Sequence, residues 1–227
     1  AKQVYSLKTA ENGLIFYRNG EPAYLTKRFD IDANSEKKLG LEDFATLAGK
    51  TKETDGEEFK YNSSYEAIAD LIKKYVGAYP VALEEFYKLV VFNFLFSNGD
   101  AQLKNLSLLE TSQGDYILNP AYDLIKTRLH VKDPELALKD GLFKNDYYTP
   151  SFEANGFLAY DDFWEFGLKI GLIKSRLAKI LNEFRTPKTE VGDFTERSYL
   201  DETFKNLYLD TYQTRLKALN NSFSKLI

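Results

Sequence analysis

Two aspartates and one asparagine stand around a short predicted hairpin between Phe92 and Asp123. Asp100 and Asn105 are five positions apart in the segment SNGDAQLKN, and Asp123 follows the second strand of the hairpin. Phosphoryl transfer to a hydroxyl needs a carboxylate near the acceptor, together with carboxylate and amide oxygens on the magnesium that neutralises the phosphates. Lys104 lies between Asp100 and Asn105, where its ammonium can meet the transferred phosphate. The spacing is therefore typical of a metal-dependent phosphotransfer loop.

The same residues also suit ordinary turns. Asn98-Gly99-Asp100 fits the end of a helix in which the glycine supplies a positive φ angle. Asn119-Pro120 fits the entry to a loop, and Asp123 fits a helix N-cap. Because Asp, Asn and Gly are the common residues of turns, the residue types alone leave both interpretations open.

A buried helix is predicted to position this stretch. Residues 89–96 form an almost wholly apolar run that stops at Ser97. We predict a break at Pro80 and then a central helix over about residues 82–96, because charge is confined to its first half. Gly114-Asp115 is the predicted turn of the hairpin that precedes Asp123.

The first 62 residues predict a small strand unit and a polar excursion. Residues 1–8 are typical of the tail of a helix, with Gly13 in the turn that follows. Residues 14–17 and 23–26 are predicted strands joined through Asn19-Gly20, a strong hairpin signal. Residues 31–62 are polar, with one helical patch over about 41–48.

The remainder of the chain predicts a helical body, so the fold class is α+β and mostly helical. Ser63 and Glu66 form a predicted capping box at the start of a helix. Residues 124–155 are predicted to be irregular, with Tyr147, Tyr148 and Pro150 in a surface loop. Two helices broken near Gly171 are predicted over 160–183, with a connector over 187–193 and a last helix over about 200–220. The predicted inward residues of these helices are Phe163, Phe166, Leu168, Ile170, Leu177, Ile180, Phe204, Leu207, Tyr208 and Leu216.

Composition excludes several classes of site. The chain of 227 residues is 44% hydrophobic and 28% charged, which is ordinary for a globular protein. It has no cysteine and one histidine, His130, so it has no disulfide, no thiolate nucleophile and no site built from two imidazoles. The net charge of -4 gives no reason to expect nucleic-acid or membrane binding, and we expect a cytoplasmic protein.

A family resemblance favours the phosphotransfer interpretation. The segments FNFLFSNGDAQLKNLSLLE and YILNPAYDLIKTRLH resemble the C-terminal lobe of the HipA-like Ser/Thr kinases, the toxin half of bacterial toxin–antitoxin pairs. That family carries N-x-D-A-H-x-K-N, a hairpin and then P-x-Y-D. The segment AYLTKRFD, residues 23–30, is similar to the hinge strand of the family, and Leu41-Glu42-Asp43 stands where the family has an E-D pair.

The resemblance implies a role for each matching residue. Asp100 would be the catalytic base, and Asn105 and Asp123 would be the magnesium ligands. The hinge residues Lys27, Arg28, Phe29 and Asp30 would meet ATP, the first three through their backbone. It also implies a division into a remnant of the kinase N-lobe and hinge, residues 1–30, and a helical C-lobe, residues 31–227.

The chain departs from the family pattern in two places. Gln102 stands where the family usually has histidine, so any nucleotide contact at that position would be made by an amide. No Gly-rich phosphate loop and no lysine-bearing strand precede the hinge. The chain begins at Ala1, and a natural start is possible because an initiator methionine before alanine is usually removed. The first residues resemble the middle of a helix without a cap, so we favour a fragment of a longer protein.

These observations leave three functions open. The first is an ATP-dependent HipA-like Ser/Thr kinase, for which the family implies a protein substrate and a HipB-like DNA-binding antitoxin. The second is a non-catalytic or split kinase lobe that acts by binding a partner. The third is a phosphatase or nuclease that uses Asp100 and Asp123 with a metal. Lys126 and Arg128 could bind phosphate near Asp123, but loop cations are more often solvated, and that is the prediction for both. His130 is predicted to have a structural or surface role.

Overall fold

A helical body carries two small antiparallel sheets in the computed structural model, which describes residues 1–223. The helices are α1 (Lys2–Tyr5), α2 (Phe44–Leu47), α3 (Lys52–Asp55), α4 (Tyr65–Tyr75), α5 (Tyr79–Leu95), α6 (Pro150–Asn155), α7 (Tyr160–Lys169), α8 (Lys174–Arg185), α9 (Thr189–Glu196) and α10 (Glu202–Asn220). The strands are β1 (Asn12–Phe16), β2 (Pro22–Thr26), β3 (Leu41–Asp43), β4 (Ser107–Glu110) and β5 (Tyr116–Leu118). Three short 3-10 turns cover Phe59–Tyr61, Leu103–Asn105 and Thr127–Leu129.

Helix α5 is the central helix, as predicted. Every residue from Leu89 to Leu95 is buried, and the helix packs against α4, α8 and α10. Its predicted start was wrong, because α5 begins at Tyr79 and includes Pro80 in its first turn. A proline is tolerated there, since the first N–H groups of a helix have no partner within the helix.

Helix α4 begins one residue later than the predicted capping box. Ser64, not Ser63, is the N-cap, and its hydroxyl accepts a hydrogen bond from the Ala67 N–H at 3.2 Å. The Glu66 carboxylate accepts a hydrogen bond from the Lys144 N–H at 3.0 Å instead of closing the box. A tertiary contact has therefore taken the place of the local one.

The first sheet is the predicted hairpin of β1 and β2. Gly20 has φ +86° in the turn, which confirms the Asn19-Gly20 signal. Gly13 was predicted to lie in a turn but is part of β1, where it pairs with Leu25. The strand therefore starts earlier than its apolar residues indicate.

The second sheet has the order β3-β4-β5 and supports the candidate site. Gly114 has φ +82° in the predicted β4–β5 turn. The predicted helical patch over 41–48 is instead strand β3 followed by the one-turn helix α2, because Leu41–Asp43 pairs with β4. Asp43 caps α2 by accepting a hydrogen bond from the Thr46 N–H at 2.9 Å.

The C-terminal helices agree with the prediction in their main features. Gly171 has φ +97° between α7 and α8, at the predicted break. The predicted surface loop around Pro150 is wrong in part, because Pro150 begins α6. The predicted connector over 187–193 is wrong, since helix α9 covers most of it and buries Val191 and Thr195 on one face. Leu207 was predicted to face inward but is 38% exposed.

The N-terminal segment is part of the main core. The Tyr5 ring stacks on the Phe184 ring with centroids 4.8 Å apart, and its hydroxyl is 3.1 Å from the Tyr212 hydroxyl. Leu7 and Ala10 are buried as well. Residues assigned to an N-lobe remnant therefore pack within the helical body, while the boundary at residue 30 remains a prediction. Within residues 1–223 no helix combines the length and apolar character required to cross a membrane.

Candidate active site

The end of α5 is shaped by a left-handed residue. Ser97 has φ +54°, whereas Gly99 is not among the residues with positive φ, so the helix-ending turn does not use the glycine as predicted. Gly99 is needed for a close contact instead, because a methyl group there would come within 2.3 Å of the Asp133 Cβ. The Thr127 hydroxyl accepts a hydrogen bond from the Gly99 N–H at 2.8 Å.

Asn98 links the two aspartate-bearing segments. It is 3% exposed, and its Oδ1 accepts a hydrogen bond from the Asp100 N–H at 3.2 Å. Its Nδ2 donates to the Asn93 side chain at 3.2 Å and lies 3.5 Å from the Asp123 carbonyl oxygen. A buried amide satisfied on both sides sets the spacing of the two segments.

Asn105 and Asp123 are brought together. The Asn105 amide donates a hydrogen bond from Nδ2 to Asp123 Oδ2 at 2.9 Å. Asp123 has φ +53°, which is uncommon for a residue with a side chain, and no helix begins there. The N-cap interpretation of Asp123 is therefore wrong. Aspartate adopts this conformation more readily than most residues with a side chain.

Asp123 lies in a cleft of about 840 Å³ between the β1–β2 hairpin and the segment that carries it. We call this the Asp123 cleft. Its lining residues are Ala1, Lys2, Gln3, Val4, Thr9, Ala10, Glu11, Asn12, Tyr24, Thr26, Ala121, Tyr122, Asp123, Leu124 and Phe194. A cleft of this size is large enough for a nucleotide.

Asp100 lies in a second cleft of about 480 Å³, which we call the Asp100 cleft. Its lining residues are Glu58, Tyr61, Gly99, Asp100, Thr127, Val131, Asp133, Pro134, Ala137 and Lys139. The two clefts share no lining residue. The Tyr61 hydroxyl donates a hydrogen bond to Asp100 Oδ1 at 2.6 Å.

Lys104 and Gln102 have partners of their own. The Lys104 ammonium is 3.1 Å from Asp43 Oδ2. Gln102 is buried, and its Oε1 accepts a hydrogen bond from the Lys104 N–H at 2.7 Å, which caps the 3-10 turn Leu103–Asn105. Gln102 therefore holds the turn that presents Asn105.

The predicted hinge residues lie beside the Asp123 cleft, and none of Lys27–Asp30 lines it. Asp30 is 4% exposed and forms a two-bond ion pair with Arg28. The hydrogen bond from Arg28 lowers the pKa of Asp30 below its ordinary value. The Phe29 ring packs against Tyr122 with centroids 5.6 Å apart, and Lys27 is 3.1 Å from Glu11.

The oxygen donors of Asn105 and Asp123 suit magnesium. The bond between them uses the N–H end of the amide and so leaves the amide oxygen for another partner. Mg²⁺ prefers oxygen ligands and is commonly held by one or two carboxylates together with substrate phosphates and water. No group of three or more His, Cys, Asp or Glu side chains among residues 1–223 is arranged to hold a metal. The donor set therefore fits magnesium that is bound together with phosphates.

Lys126 is not a solvated cation, contrary to the prediction. It is 9% exposed, and its Nζ has no hydrogen-bond partner in the described part of the chain. The ammonium lies 4.3 Å from the centroid of the Tyr208 ring. Burial, and then the nearby Arg215, lower the pKa of Lys126 to about 7. Arg128 and His130 are exposed, as predicted.

Sequence reasoning missed Tyr61, Asn98 and Thr127 as parts of this site. Tyr61 is 39 residues from Asp100 in the chain and belongs to a stretch that resembles a polar loop, so no local pattern signals it. Asn98 did carry a signal, since it stands two residues before Asp100 in the quoted N-x-D segment.

Known proteins with similar sequences are named as kinases. A "Putative kinase" of Haemophilus influenzae is 27% identical over 229 residues, which cover 92% of this chain and 65% of that protein. A second "Putative kinase", from Sinorhizobium fredii, is 25% identical and is covered over 48% of its length. The chain thus spans about half to two thirds of the length of these relatives.

Solved structures of low sequence identity share the fold. HipA of Shewanella oneidensis MR-1, in a complex of HipA, HipB and operator DNA, matches 96% of this chain with a TM-score of 0.68 at 18% identity; 53% of that HipA chain is covered. The Helicobacter pylori proinflammatory kinase CtkA matches 95% of this chain with a TM-score of 0.53 at 16% identity, and 73% of that chain is covered. The architecture is therefore that of a kinase-like C-lobe.

A family model also matches most of the sequence. It is described as the HipA-like C-terminal domain and covers residues 2–190. The motif residues Asp100, Asn105 and Asp123 all lie inside the matched range. The chain belongs to the HipA-like C-terminal domain family.

Proposed function

We propose that this chain is the catalytic lobe of an ATP-dependent Ser/Thr protein kinase. The observation that carries the proposal is the bond between Asn105 and Asp123, with Asp100 held nearby by the Asn98 amide. Transfer of a phosphoryl group to a hydroxyl requires oxygen ligands for the metal on one side of the phosphate and a carboxylate on the side of the acceptor. The Asp123 cleft would receive ATP.

Each residue has a distinct role in this proposal. Asn105 and Asp123 would hold magnesium, which when bound neutralises charge on the phosphates. Asp100 would orient the acceptor hydroxyl and take its proton. The acceptor oxygen forms a bond to the γ-phosphorus while the bond to the β–γ bridging oxygen breaks, and ADP leaves.

Lys104 lies in the same loop as Asp100 and Asn105. Its ammonium would meet the transferred phosphate after leaving the Asp43 carboxylate. Gln102 would act through the turn that presents Asn105, and the backbone of the hinge segment, residues 27–30, would meet the adenine.

The proposed partners follow from the relatives. The Shewanella oneidensis structure contains HipA, HipB and operator DNA. We propose that this chain, as a toxin, likewise pairs with a HipB-like DNA-binding antitoxin and phosphorylates a protein in the cytoplasm. With a net charge of -4 the chain itself has no general attraction for DNA, so contact with DNA would be made by the partner.

A non-catalytic or split lobe is the second candidate. Large apolar side chains on both faces of the β1–β2 hairpin are exposed, among them Leu14, Ile15 and Phe16. A second domain or protein would have to cover these faces. The Asp123 cleft would also have to be closed on its open side to position the phosphates. If no such domain or protein joins the chain, the lobe would act only through the partner that it binds.

Phosphotransfer by the full gene product with radiolabelled ATP and magnesium tests the proposal. Asp100→Asn should lower the rate by about 10²–10⁴-fold, since a positioned base contributes that much. Asp146→Asn is the control for Asp123→Asn, because Asp146 is exposed and has a similar left-handed backbone, with φ +52° against +53°. Loss of magnesium-dependent ATP binding only in Asp123→Asn supports the proposal. Wild-type transfer by Asp100→Asn would falsify it.

A further inference from the structure

We propose that Tyr61 is the positioning residue of the acceptor side: its hydroxyl fixes the Asp100 carboxylate in the Asp100 cleft, which receives the Ser or Thr side chain of the substrate. This inference rests on the proposed kinase function and deepens it. It assigns the two clefts to the two substrates.

The residues that line the two clefts support this assignment. In phosphoryl transfer the attacking and leaving oxygens lie roughly in line on opposite sides of the phosphorus. The magnesium ligand Asp123 lines the larger cleft, and Asp100 lines the smaller one, with no lining residue in common. The acceptor must approach on the side of the base. The Asp100 cleft, at about 480 Å³, is wide enough for a side chain and its neighbouring backbone.

The Tyr61 contact holds one oxygen of the base. Its hydroxyl donates to Asp100 Oδ1 at 2.6 Å, a short bond of the kind made to charged acceptors. Among residues 1–223 no other side chain donates a hydrogen bond to this carboxylate. The second oxygen is therefore left for the acceptor hydroxyl.

Backbone hydrogen bonds with two other lining residues of the cleft hold Tyr61 in place. Its carbonyl oxygen accepts a hydrogen bond from the Lys139 N–H at 2.9 Å, and its N–H donates to the Glu58 carbonyl oxygen at 2.9 Å. Burial and the bond to Asp100 raise the pKa of Tyr61 above its ordinary value. The phenol is therefore a neutral donor throughout the physiological range and does not itself act as the base.

The test compares Tyr61→Phe with a matched control in the full gene product. Tyr147→Phe removes another tyrosine hydroxyl that donates to a carboxylate, that of Glu165, away from both clefts. The assay uses radiolabelled ATP, magnesium and a degenerate library of Ser and Thr peptides. Thermal unfolding of both variants checks that they fold.

We expect Tyr61→Phe to lower kcat/KM about tenfold with an unchanged Kd for magnesium-ATP. The loss should fall on kcat, with the KM for the peptide unchanged, because a positioned base acts on the chemical step and not on substrate binding. Tyr147→Phe should leave both readouts at their wild-type values. A wild-type kcat in Tyr61→Phe would overturn the inference.

A measurement without turnover separates this inference from the kinase proposal. Carbon-13 NMR of the aspartate carboxyls at one neutral pH, with Asp100→Asn used for assignment, gives the chemical shift of the Asp100 carboxyl directly. A changed value in Tyr61→Phe, with none in Tyr147→Phe, supports the positioning role even if no phosphotransfer is found. Equal values refute the positioning role even if the chain is an active kinase.

Discussion

The loop that follows α5 carries predicted site residues, and the β1–β2 hairpin leads directly into the predicted hinge residues, yet the two regions are built in opposite ways. The loop grows out of a helix that is buried all round from Leu89 to Leu95, and buried Asn98 and Gln102 hold its turns. In the hairpin all five residues of β1 are exposed, as are most of those of β2. The residues proposed as magnesium ligands and base are thus held by the core, whereas the proposed hinge segment is joined to a two-stranded sheet that is mostly exposed.

The two regions differ in how well the core supports them. Positioning of a base and of metal ligands requires rigid support, and α5 supplies it. A two-stranded hairpin is marginally stable by itself and normally packs against more structure. The proposed base and metal ligands are therefore supported by the core of this chain, whereas the proposed nucleotide-binding segment adjoins a hairpin with little support of its own.

The largest change in the free energy of unfolding is expected from a substitution in α5, the helix that supports the loop of the candidate site. Phe86 in α5 is 0% exposed, so Phe86→Ala leaves a cavity at the centre of the core. We expect a loss of about 3–5 kcal/mol in the free energy of unfolding, measured by urea denaturation of the 227-residue chain. A loss below about 1 kcal/mol would contradict the central role of α5.

Removing the buried cation of Lys126 is expected to stabilise the folded chain. Between about pH 7 and the ordinary lysine pKa of 10.5, the unfolded chain binds a proton at Lys126 that the folded chain does not, so stability rises with pH across that window. The pKa shift from 10.5 to about 7 corresponds to about 5 kcal/mol at pH 6, and loss of the contact with the Tyr208 ring offsets part of it. Lys126→Met should therefore remove this dependence and be more stable than wild type by about 3–5 kcal/mol at pH 6. The gain should shrink towards pH 10.5. Denaturation at several pH values measures it, and Lys132→Met, at an exposed position in the same region, is the control.

Crowding the loop tests how closely its parts fit. Gly99→Ala would bring a methyl group within 2.3 Å of the Asp133 Cβ, so either the turn or the segment around Asp133 must move. We expect a destabilisation of about 1–3 kcal/mol. Gly192→Ala is the control, because a methyl group there meets nothing within 4 Å. Equal stability of the two variants would show that the Gly99 contact is not required.

The smallest change in the free energy of unfolding is expected from a substitution in the β1–β2 hairpin. Ile15 is 44% exposed, and Ile15→Thr keeps the branched side chain that strands favour. We expect the stability of this chain to change by no more than about 0.5 kcal/mol. If the loss is larger and grows with protein concentration, a second copy already covers the hairpin and the comparison with the α5 loop fails.

Many of the secondary-structure elements were predictable from local sequence patterns. The apolar run over 89–96 indicated a buried helix, and the turn residues Asn19-Gly20 and Gly114-Asp115 indicated two hairpins that the structure contains. The errors occur where tertiary contacts outweigh local preference. Leu41–Asp43 became a strand because it pairs with β4, and Glu66 left its capping box for the Lys144 backbone.

The sequence by itself determined the identity and order of the candidate chemistry: Asp100, Asn105 five residues later and Asp123 after a hairpin. Spacing along the chain does not determine which side chains meet. Only the tertiary structure shows that Asn105 bonds to Asp123 and that the Tyr61 hydroxyl bonds to Asp100, which is 39 residues away in the chain. Only the tertiary structure shows, too, that Lys126 is buried against the Tyr208 ring. These contacts depend on how α5, α10 and the loops pack together, and that packing is set by the whole core rather than by any one stretch of residues.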